Sequence, residues 1–229
     1  MWRALPADET RDRILLAALP HVPFDGWSEA ALAAAAVDLG LEPEEARQAF
    51  PGGPVALVTY HAAYADRRME DALKESDLKA MRVRERIAHA VRLRLEQNAA
   101  HREAIRAALP VLAQPANGPH ALQSLYRTVD TIWFATGDRT TDFGFYTKRA
   151  LLAGVYLSTL LYWLSDGSED SQATWGFLDR RIADVMRIQT TRARLARFRP
   201  PGLELLRRLR EAARAAANPM HTRGPQSRA

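Results

Sequence analysis

Cysteine is absent from this chain of 229 residues, which excludes disulfides, thiolate zinc sites and cysteine nucleophiles. Stretches that alternate apolar and polar residues, as half-buried strands do, are almost lacking as well. Ala, Leu, Arg and Glu dominate instead, and apolar residues make up 47% of the sequence, enough for a sizeable core. The composition therefore predicts an all-α globular protein.

Motifs of the common catalytic sites are also missing. The sequence contains no nucleophile elbow, no phosphate-binding loop and no dinucleotide fingerprint. Its six histidines form no H-E-x-x-H pair, and Glu85 with His89 has the wrong spacing for the paired Glu-x-x-His motifs of a di-iron bundle. We therefore expect no catalytic residue and no metal site, and an enzyme that acts alone is the least favoured function.

The uncharged run at 150–165 is too short to cross a membrane. It has 16 residues, whereas a membrane span needs about 20. Gly154, Ser158 and Thr159 make the run less apolar still. It predicts a helix that is buried on most sides and either fills a core or lines a cavity. The first ten residues lack the basic and apolar regions of a signal peptide, so we expect no secretory leader.

Positive charge is scarce outside the C-terminal end. The net charge is +5, yet residues 192–229 hold ten Arg and only two Glu. The other 191 residues carry 22 basic and 25 acidic side chains, and the first 53 residues carry four Arg against nine Asp and Glu. The basic character therefore belongs to a C-terminal tail, while the N-terminal part is acidic.

Helical periodicity and cap residues divide the chain into segments. We predict a module at 1–53, a larger helical domain at 54–191, a linker at 192–202 with two consecutive prolines, an amphipathic helix at 203–217 and a disordered tail at 218–229. Ser76 or Asp77 is expected to cap the helix at about 78–97. The other helices are expected over about 8–20, 28–40, 43–50, 54–75, 100–113, 119–136, 142–164 and 170–190.

The first three helices resemble the helix-turn-helix module of TetR-type regulators. An apolar helix, a corner at Gly26–Trp27 and an Ala-rich helix that ends at Gly40 follow in the expected order. The next helix, in the recognition position, carries three carboxylates and one cation, namely Glu42, Glu44, Glu45 and Arg47. Carboxylates there would face the phosphates of DNA. We therefore expect the module to serve as structure and to bind no DNA.

Aromatic and charged residues are mixed at the start of the helix predicted over 142–164. Phe145, Lys148 and Arg149 are neighbours on a helical wheel, and Asp142 lies one turn before Phe145. An aromatic ring surrounded by charges is poor core material and good interface material. The residues alone leave two interpretations open: a docking surface, or a capped helix start with one exposed ring.

The predicted helix at 203–217 is amphipathic. Three Leu and three Ala share one side, and four Arg occupy the other: Leu205, Leu206, Leu209, Ala212, Ala213 and Ala216 against Arg207, Arg208, Arg210 and Arg214. Such a helix packs on its own bundle or lies in a membrane interface. Each buried Leu contributes about 1.5–3 kcal/mol and each Arg near an anionic leaflet about 1 kcal/mol, enough for reversible attachment.

The string from Trp133 to Ala150, WFATGDRTTDFGFYTKRA, carries a more specific likeness, together with TWGFLDRRI at 174–182. With these strings the chain resembles the lipid-binding accessory protein family of coenzyme Q biosynthesis, the ninth member of the eukaryotic Coq series, which also has alphaproteobacterial members. Three positions depart from the family's pattern: Thr136 replaces Ala, Gly144 replaces Asn, and Phe145 replaces Trp.

The resemblance implies an all-α, TetR-family-like helical bundle with an N-terminal helix-turn-helix-like module and a C-terminal amphipathic membrane helix. It implies a homodimer without DNA binding or enzymatic cofactor, which holds an isoprenoid or phospholipid in the domain at 54–191. The protein would present ubiquinone precursors to the demethoxyubiquinone hydroxylase. It would be cytoplasmic and peripheral on the inner face of a bacterial inner membrane. A TetR-family repressor with an apolar effector is the alternative.

The resemblance also assigns residues by motif position. The docking surface would comprise Asp130, Asp142, Phe145, Tyr146 and Arg149, with Ile132 and Trp133 at the lipid exit beside it. Because the helices around 119–136 and 142–164 have few charges, we expect them to line an apolar cavity near Trp133, Leu152 and Tyr156. Membrane contacts would come from Leu205, Leu206, Leu209, Arg207, Arg208 and Arg214. We expect Phe145 and Arg149 on an exposed face, where substitution changes stability little.

Overall fold

Helices account for nearly all regular structure in the part of the chain that the computed structural model describes, residues 8–137 and 144–197. Within that part there are no strands, which confirms the all-α prediction. The α-helices are α1 Glu9–Ala18, α2 Val22–Asp25, α3 Glu29–Leu39, α4 Pro43–Ala49, α5 Gly53–Lys74, α6 Val83–Glu96, α7 Arg102–Leu112, α8 Gly118–Ala135, α9 Gly144–Ser165 and α10 Gln172–Arg197.

The N-terminal module forms where the cap residues predict it. The Asp8 carboxylate accepts from Arg11 N at 3.1 Å and opens α1, and Ser28 Oγ accepts from Ala31 N at 3.3 Å and opens α3. Gly40 ends α3 in the left-handed region, with φ +67°. The buried side chains of α1, α3 and α4 form one core with the start of α5. Helix-turn-helix-like packing is thus confirmed.

The predicted helix over 78–97 is wrong at its beginning. A single 3-10 turn occupies 78–80, Met81 is extended, and α6 begins only at Val83. Ser76 does not cap this helix because its hydroxyl donates back to Ala72 O at 3.1 Å and contacts His89 Nε2 at 3.1 Å. Instead the Glu85 carboxylate reaches back to the N–H of Arg82 at 2.9 Å and fixes the helix start there.

The structure divides into two compact units, the first ending at Ala183 and the second beginning at Asp184. Helix α10 continues to Arg197, beyond the predicted end at about 190 and into the predicted linker. The described part of the second unit is the C-terminal portion of this helix. The predicted amphipathic helix at 203–217, with its six proposed membrane-contacting residues, lies outside the described residues, as does the tail at 218–229.

Helix α5 lies at the centre of the larger domain and packs against α6, α7 and α8, while α9 packs against α6, α7 and α8. Most of the residues that α5 buries are apolar, but Asp66 is among them and is 1% exposed. Arg94 Nε of α6 donates to Asp66 Oδ1 at 2.8 Å, and Arg127 Nε of α8 donates to Asp66 Oδ2 at 3.3 Å. The Thr128 hydroxyl donates to Oδ1 at 2.8 Å. Four side chains from three helices thus form one buried ionic cluster, the Asp66 cluster.

Asp66→Ala should destabilise the fold by about 3–5 kcal/mol, because it leaves two buried guanidiniums without their carboxylate. Asp71→Ala is the matched control on the same helix, since Asp71 pairs with Lys74 at the surface. That change should cost no more than about 1 kcal/mol. Urea unfolding followed by circular dichroism measures both. Equal losses for the two variants would show that the Asp66 cluster does not stabilise the bundle.

Candidate functional site

The four residues predicted to contact a lipid lie in one packed pair of helices. Ile132 and Trp133 are near the C-terminal end of α8, and Leu152 and Tyr156 are in the first half of α9. All four side chains are buried, and α8 packs against α9. The structure therefore brings together residues that are about 20 positions apart in the sequence, and their contact with a lipid stays a prediction.

Helix α8 ends in a turn that is tied to α6. Gly137 takes a φ of +92°, which is open to glycine and strained for other residues, and this explains the break predicted there. Arg86 of α6 donates through Nη1 to Thr136 O at 3.2 Å and through Nε to Met81 O at 2.9 Å. The Thr136 hydroxyl donates to Trp133 O at 3.1 Å. These bonds hold the last turn of α8, and with it Trp133, in a fixed position.

The expectation that Arg149 lies on an exposed face is wrong. Its side chain is 7% exposed, and its Nε and Nη2 atoms contact Asp130 Oδ1 of α8 at 2.7 and 2.5 Å. The guanidinium tolerates burial because Asp130 neutralises it. Tyr126, one turn before Asp130, hydrogen-bonds Arg149, and burial followed by the charge of Asp130 raises the pKa of Tyr126. Arg149 is therefore part of the α8–α9 contact, and changing it will affect stability.

Exposed aromatic residues lie beside this ion pair. Tyr146, in the first turns of α9, is 72% exposed, as expected for a docking residue. Phe134, at the end of α8, is also exposed, and the sequence interpretation did not select it. Its position next to Trp133 in the recognised string was the available signal. Asp142 lies outside the described residues, and so does the side chain of Phe145.

The surroundings of Tyr156 are more polar than predicted. The Arg94 guanidinium of the Asp66 cluster lies 5.7 Å from the centre of the Tyr156 ring. Burial raises the pKa of Tyr156, so its phenol stays protonated at neutral pH. Burial, followed by the charge of Arg94, lowers the pKa of His61 of α5 to about 3, which keeps that imidazole neutral. The α8–α9 region thus combines apolar side chains with the charged Arg94 guanidinium beside Tyr156.

Sequence reasoning missed the Asp66 cluster. Its signal was a carboxylate at a position of α5 where helical spacing calls for an apolar residue, between the buried Ala63 and Met69. Long-range pairing with Arg94 and Arg127 cannot be read from a single sequence, because both occur in helices with several other arginines or polar residues.

A separate cleft of about 280 Å³ lies where α6, α9 and α10 meet. Arg92 lies 5.0 Å from the ring centre of Trp175, and Trp175 Nε1 donates to Asp170 O at 2.8 Å. None of the four predicted lipid contacts lines it. The lining residues are Arg92, Glu96, Ala99, Trp163, Asp170, Ser171, Gln172 and Trp175. Its volume is just below the range of about 300–1,000 Å³ typical of small-molecule sites.

The helix in the recognition position presents carboxylates outward. Glu42, Glu44 and Glu45 are exposed, and Arg47 forms ion pairs with Glu44 and, at 3.8 Å, with Glu29. The cation of α4 is therefore already neutralised within the module. That this module binds no DNA stays a prediction, and the outward carboxylates with the paired Arg47 supply a geometric reason for it.

Residues 8–137 and 144–197 contain neither a membrane-spanning helix nor a metal-binding group. No helix in these ranges has the length and apolar character needed to cross a membrane. The same ranges hold no group of three or more His, Asp or Glu side chains placed to bind a metal ion.

Comparison with known proteins identifies relatives over most of the chain. Residues 118–189 match the family model described as COQ9, and residues 8–37 match the model of the ubiquinone biosynthesis protein COQ9 N-terminal domain. The mitochondrial ubiquinone biosynthesis proteins COQ9 of Rattus norvegicus and Drosophila melanogaster are each 35% identical and align with 80% of this chain. The chain spans 61% and 57% of their respective lengths. The human protein is 33% identical, with 60% of its length covered.

A solved structure supports the fold. The crystal structure of the TetR transcriptional regulator from Nitrosomonas europaea superposes with a TM-score of 0.64 at 25% sequence identity. The match covers 77% of this chain and 97% of the regulator. The TetR-like arrangement predicted from the first three helices is therefore confirmed.

Because Arg149 is buried and paired with Asp130, its substitution should change stability, contrary to the expectation from the sequence. Arg149→Ala should destabilise the protein by about 2–3 kcal/mol, between the values for exposed and buried pairs. In a double-mutant cycle with Asp130→Ala, the sum of the stability losses of the two single variants should clearly exceed the stability loss of the double variant. Thermal and urea unfolding measure the four proteins, with Lys74→Ala as the exposed-pair control. Strict additivity would mean that the two side chains do not interact in solution.

Proposed function

We propose, from the premise that this chain is a homologue of the COQ9 proteins of ubiquinone biosynthesis, that it is a non-enzymatic accessory protein of that pathway. It binds an isoprenoid or quinone lipid and presents ubiquinone precursors to the demethoxyubiquinone hydroxylase at a membrane. Because the chain spans about three fifths of the relatives' length, their activity and partners enter only as part of this proposal.

The arrangement of α8 and α9 is the observation that carries the proposal. A buried set of apolar and aromatic side chains, Ile132, Trp133, Leu152 and Tyr156, lies next to the exposed rings of Phe134 and Tyr146. A lipid held among the buried side chains would leave the protein beside the exposed rings of Phe134 and Tyr146. Exposed aromatic residues are common anchors of protein interfaces. One end of a single helix pair therefore offers both a place for a ligand and a surface for the protein that receives it.

A homodimer is part of the proposal, and α9 supplies an interface for it. Its exposed side shows an uncharged stripe at helical spacing, formed by Ala150, Gly154, Leu157 and Leu161. Small residues in such a stripe allow a second helix to approach closely, and the leucines supply apolar area. Two copies related by a two-fold axis would bury this stripe against itself.

Membrane attachment is assigned to the helix predicted over 203–217. Its three leucines and its arginines suit an anionic lipid surface. We place the protein on the cytoplasmic face of a bacterial inner membrane. The animal relatives are named as mitochondrial proteins.

A repressor with an apolar effector remains the second candidate, because the superposed crystal structure is of a transcriptional regulator. The exposed carboxylates of α4 and the neutralised Arg47 count against it. Fluorescence anisotropy with promoter DNA at low salt separates the two functions, since sequence-specific binding would favour the repressor.

Native mass spectrometry of the full chain tests ligand and dimer together. The expected spectrum shows the mass of two chains plus bound isoprenoid lipid, which tandem fragmentation identifies. Leu161→Arg should shift the spectrum to single chains by placing a charge in the α9 stripe. Val37→Arg is the control, because Val37 is an exposed apolar residue of the N-terminal module. A wild-type protein that carries no isoprenoid after gentle purification would contradict lipid carriage.

Docking and membrane attachment should be separable by two changes. Tyr146→Ala should weaken hydroxylase binding by about 2 kcal/mol, since it removes an exposed aromatic ring. It should leave vesicle binding intact, because the helix predicted over 203–217 is unchanged. Truncation after Phe198 should do the opposite, with loss of flotation on anionic vesicles and unchanged hydroxylase binding. Pull-down and flotation measure both, and Phe24→Ala is the control for an exposed aromatic residue elsewhere. Truncation that lowers the melting temperature but preserves flotation would disprove the membrane role.

A further inference from the structure

The side chain of Trp133 has a buried hydrogen-bond donor without a partner. The residue is 8% exposed, and its Nε1–H group has no acceptor among the residues that the structure describes. Such groups are rare in proteins, because a buried donor loses its hydration and must be compensated by an acceptor. A donor of this kind in a region assigned to ligand binding points to an acceptor that arrives with the ligand.

Three other buried polar atoms in the described part of the chain also lack a partner, but their side chains make cation–π, ionic or hydrogen-bond contacts through other atoms. Arg11 lies over the rings of Phe50 and Tyr60, Arg67 pairs with Asp12, and the Gln97 amide donates to Arg68 O. An indole has a single polar atom, so Trp133 uses none of its hydrogen-bonding capacity. Trp27 and Trp175, by contrast, each donate to a backbone carbonyl at 2.8 Å.

The backbone that carries the donor is fixed, and the indole itself is buried. The bonds from Arg86 and the Thr136 hydroxyl go to backbone carbonyls of the last turn of α8, so less ordering is needed when a ligand binds. Lys148 Nζ lies 5.7 Å from the centre of the indole ring. Its positive charge would attract an oxygen that carries partial negative charge to the same place.

The neighbouring side chains set the orientation of a ligand bound here. Leu152 and Tyr156 follow Lys148 along α9 by about 6 and 12 Å, and both are buried. An oxygen-bearing head group at Trp133 would therefore place its apolar chain along these residues. The head group would then lie at the end of α8 that also carries Phe134, on the side of the exposed aromatic residues.

We propose that the Trp133 Nε1–H group donates a hydrogen bond to a carbonyl oxygen in the head group of the bound lipid. This inference rests on the proposed lipid-binding function and adds head-group recognition to it. A ring carbonyl of a quinone and an ester carbonyl of a glycerolipid both supply that acceptor. A site with this donor discriminates against chains that lack an acceptor, because such a ligand leaves the donor unpaired.

Indole N–H resonances of the full chain test the bond directly. The chain has five tryptophans, and a Trp133→Phe variant identifies the Trp133 signal by its disappearance from a ¹H–¹⁵N spectrum. Saturation with a decyl-substituted 1,4-benzoquinone should move this signal downfield. The signals of Trp27 and Trp175, assigned in the same way, should stay in place. Decylbenzene, which has the chain but no oxygen, should cause no downfield shift of Trp133.

Affinities measured by isothermal titration supply the second readout. Trp133→Phe should weaken decyl-benzoquinone binding about tenfold and leave decylbenzene binding unchanged, as expected for one lost hydrogen bond. Trp175→Phe is the matched control and should change neither affinity. Dihexanoyl phosphatidylcholine tests the other carbonyl source, and whichever oxygen-bearing probe depends on Trp133 identifies the head group.

The outcomes separate this inference from the proposed function. One outcome is that the protein binds the oxygen-bearing probes without a shift of the Trp133 signal and with the same affinities in Trp133→Phe. In that case the donor has no role in binding, and the proposed lipid-binding function is unaffected. If none of the three probes binds to the wild-type chain, the proposed function fails, and the inference fails with it.

Discussion

The buried carboxylate of Asp66 is the interaction on which the larger domain depends. One side chain of α5 accepts hydrogen bonds from α6 and α8 at once, so it fixes the rotation of three helices relative to one another. Apolar packing alone tolerates small helix rotations. A buried ion pair does not, because its attraction offsets the cost of desolvation only while its geometry is good. The Nη2 atoms of Arg94 and Arg127 donate to backbone carbonyls of α5, Ala62 O and Thr59 O respectively, which satisfies the cluster further.

The position of α8 then determines the candidate site. Because Arg127 and Thr128 anchor the middle of α8, the last two turns project Asp130, Trp133 and Phe134 in fixed directions. Asp130 holds α9 through Arg149, and Arg86 closes the end of α8. Polar contacts thus hold α8 at its middle, at Asp130 and at its last turn, and Tyr146 is exposed in the first turns of the helix that Asp130 contacts. The same helix pair holds the residues proposed to bind the lipid, so under the proposal a lipid and a docking protein would contact connected parts of one helix pair.

Much of this architecture could be predicted from local sequence signals. Ser28, Gly40 and Gly137 mark helix ends with chemistry that depends only on neighbouring residues, and the structure places all three as expected. The start of α6 could not be predicted in this way, because Ser76 and Glu85 both offer capping groups and the packed structure selects Glu85. The burial of Arg149 was missed for a related reason. A helical wheel shows neighbours on one helix, but the partner that makes burial tolerable, Asp130, belongs to another.

The pair of Asp130 and Arg149 has one member in the interior and the other partly at the surface, with side chains 26% and 7% exposed. A surface that recognises a partner can usually diverge one residue at a time, because solvent tolerates almost any side chain. Here a change at position 130 removes the counter-charge of the buried Arg149 guanidinium. Substitutions at positions 130 and 149 are therefore tolerated only together. If this surface docks a partner as proposed, its evolution is therefore constrained by folding as well as by the partner. New specificity is expected to arise first at Tyr146 and Phe134, whose aromatic rings are exposed.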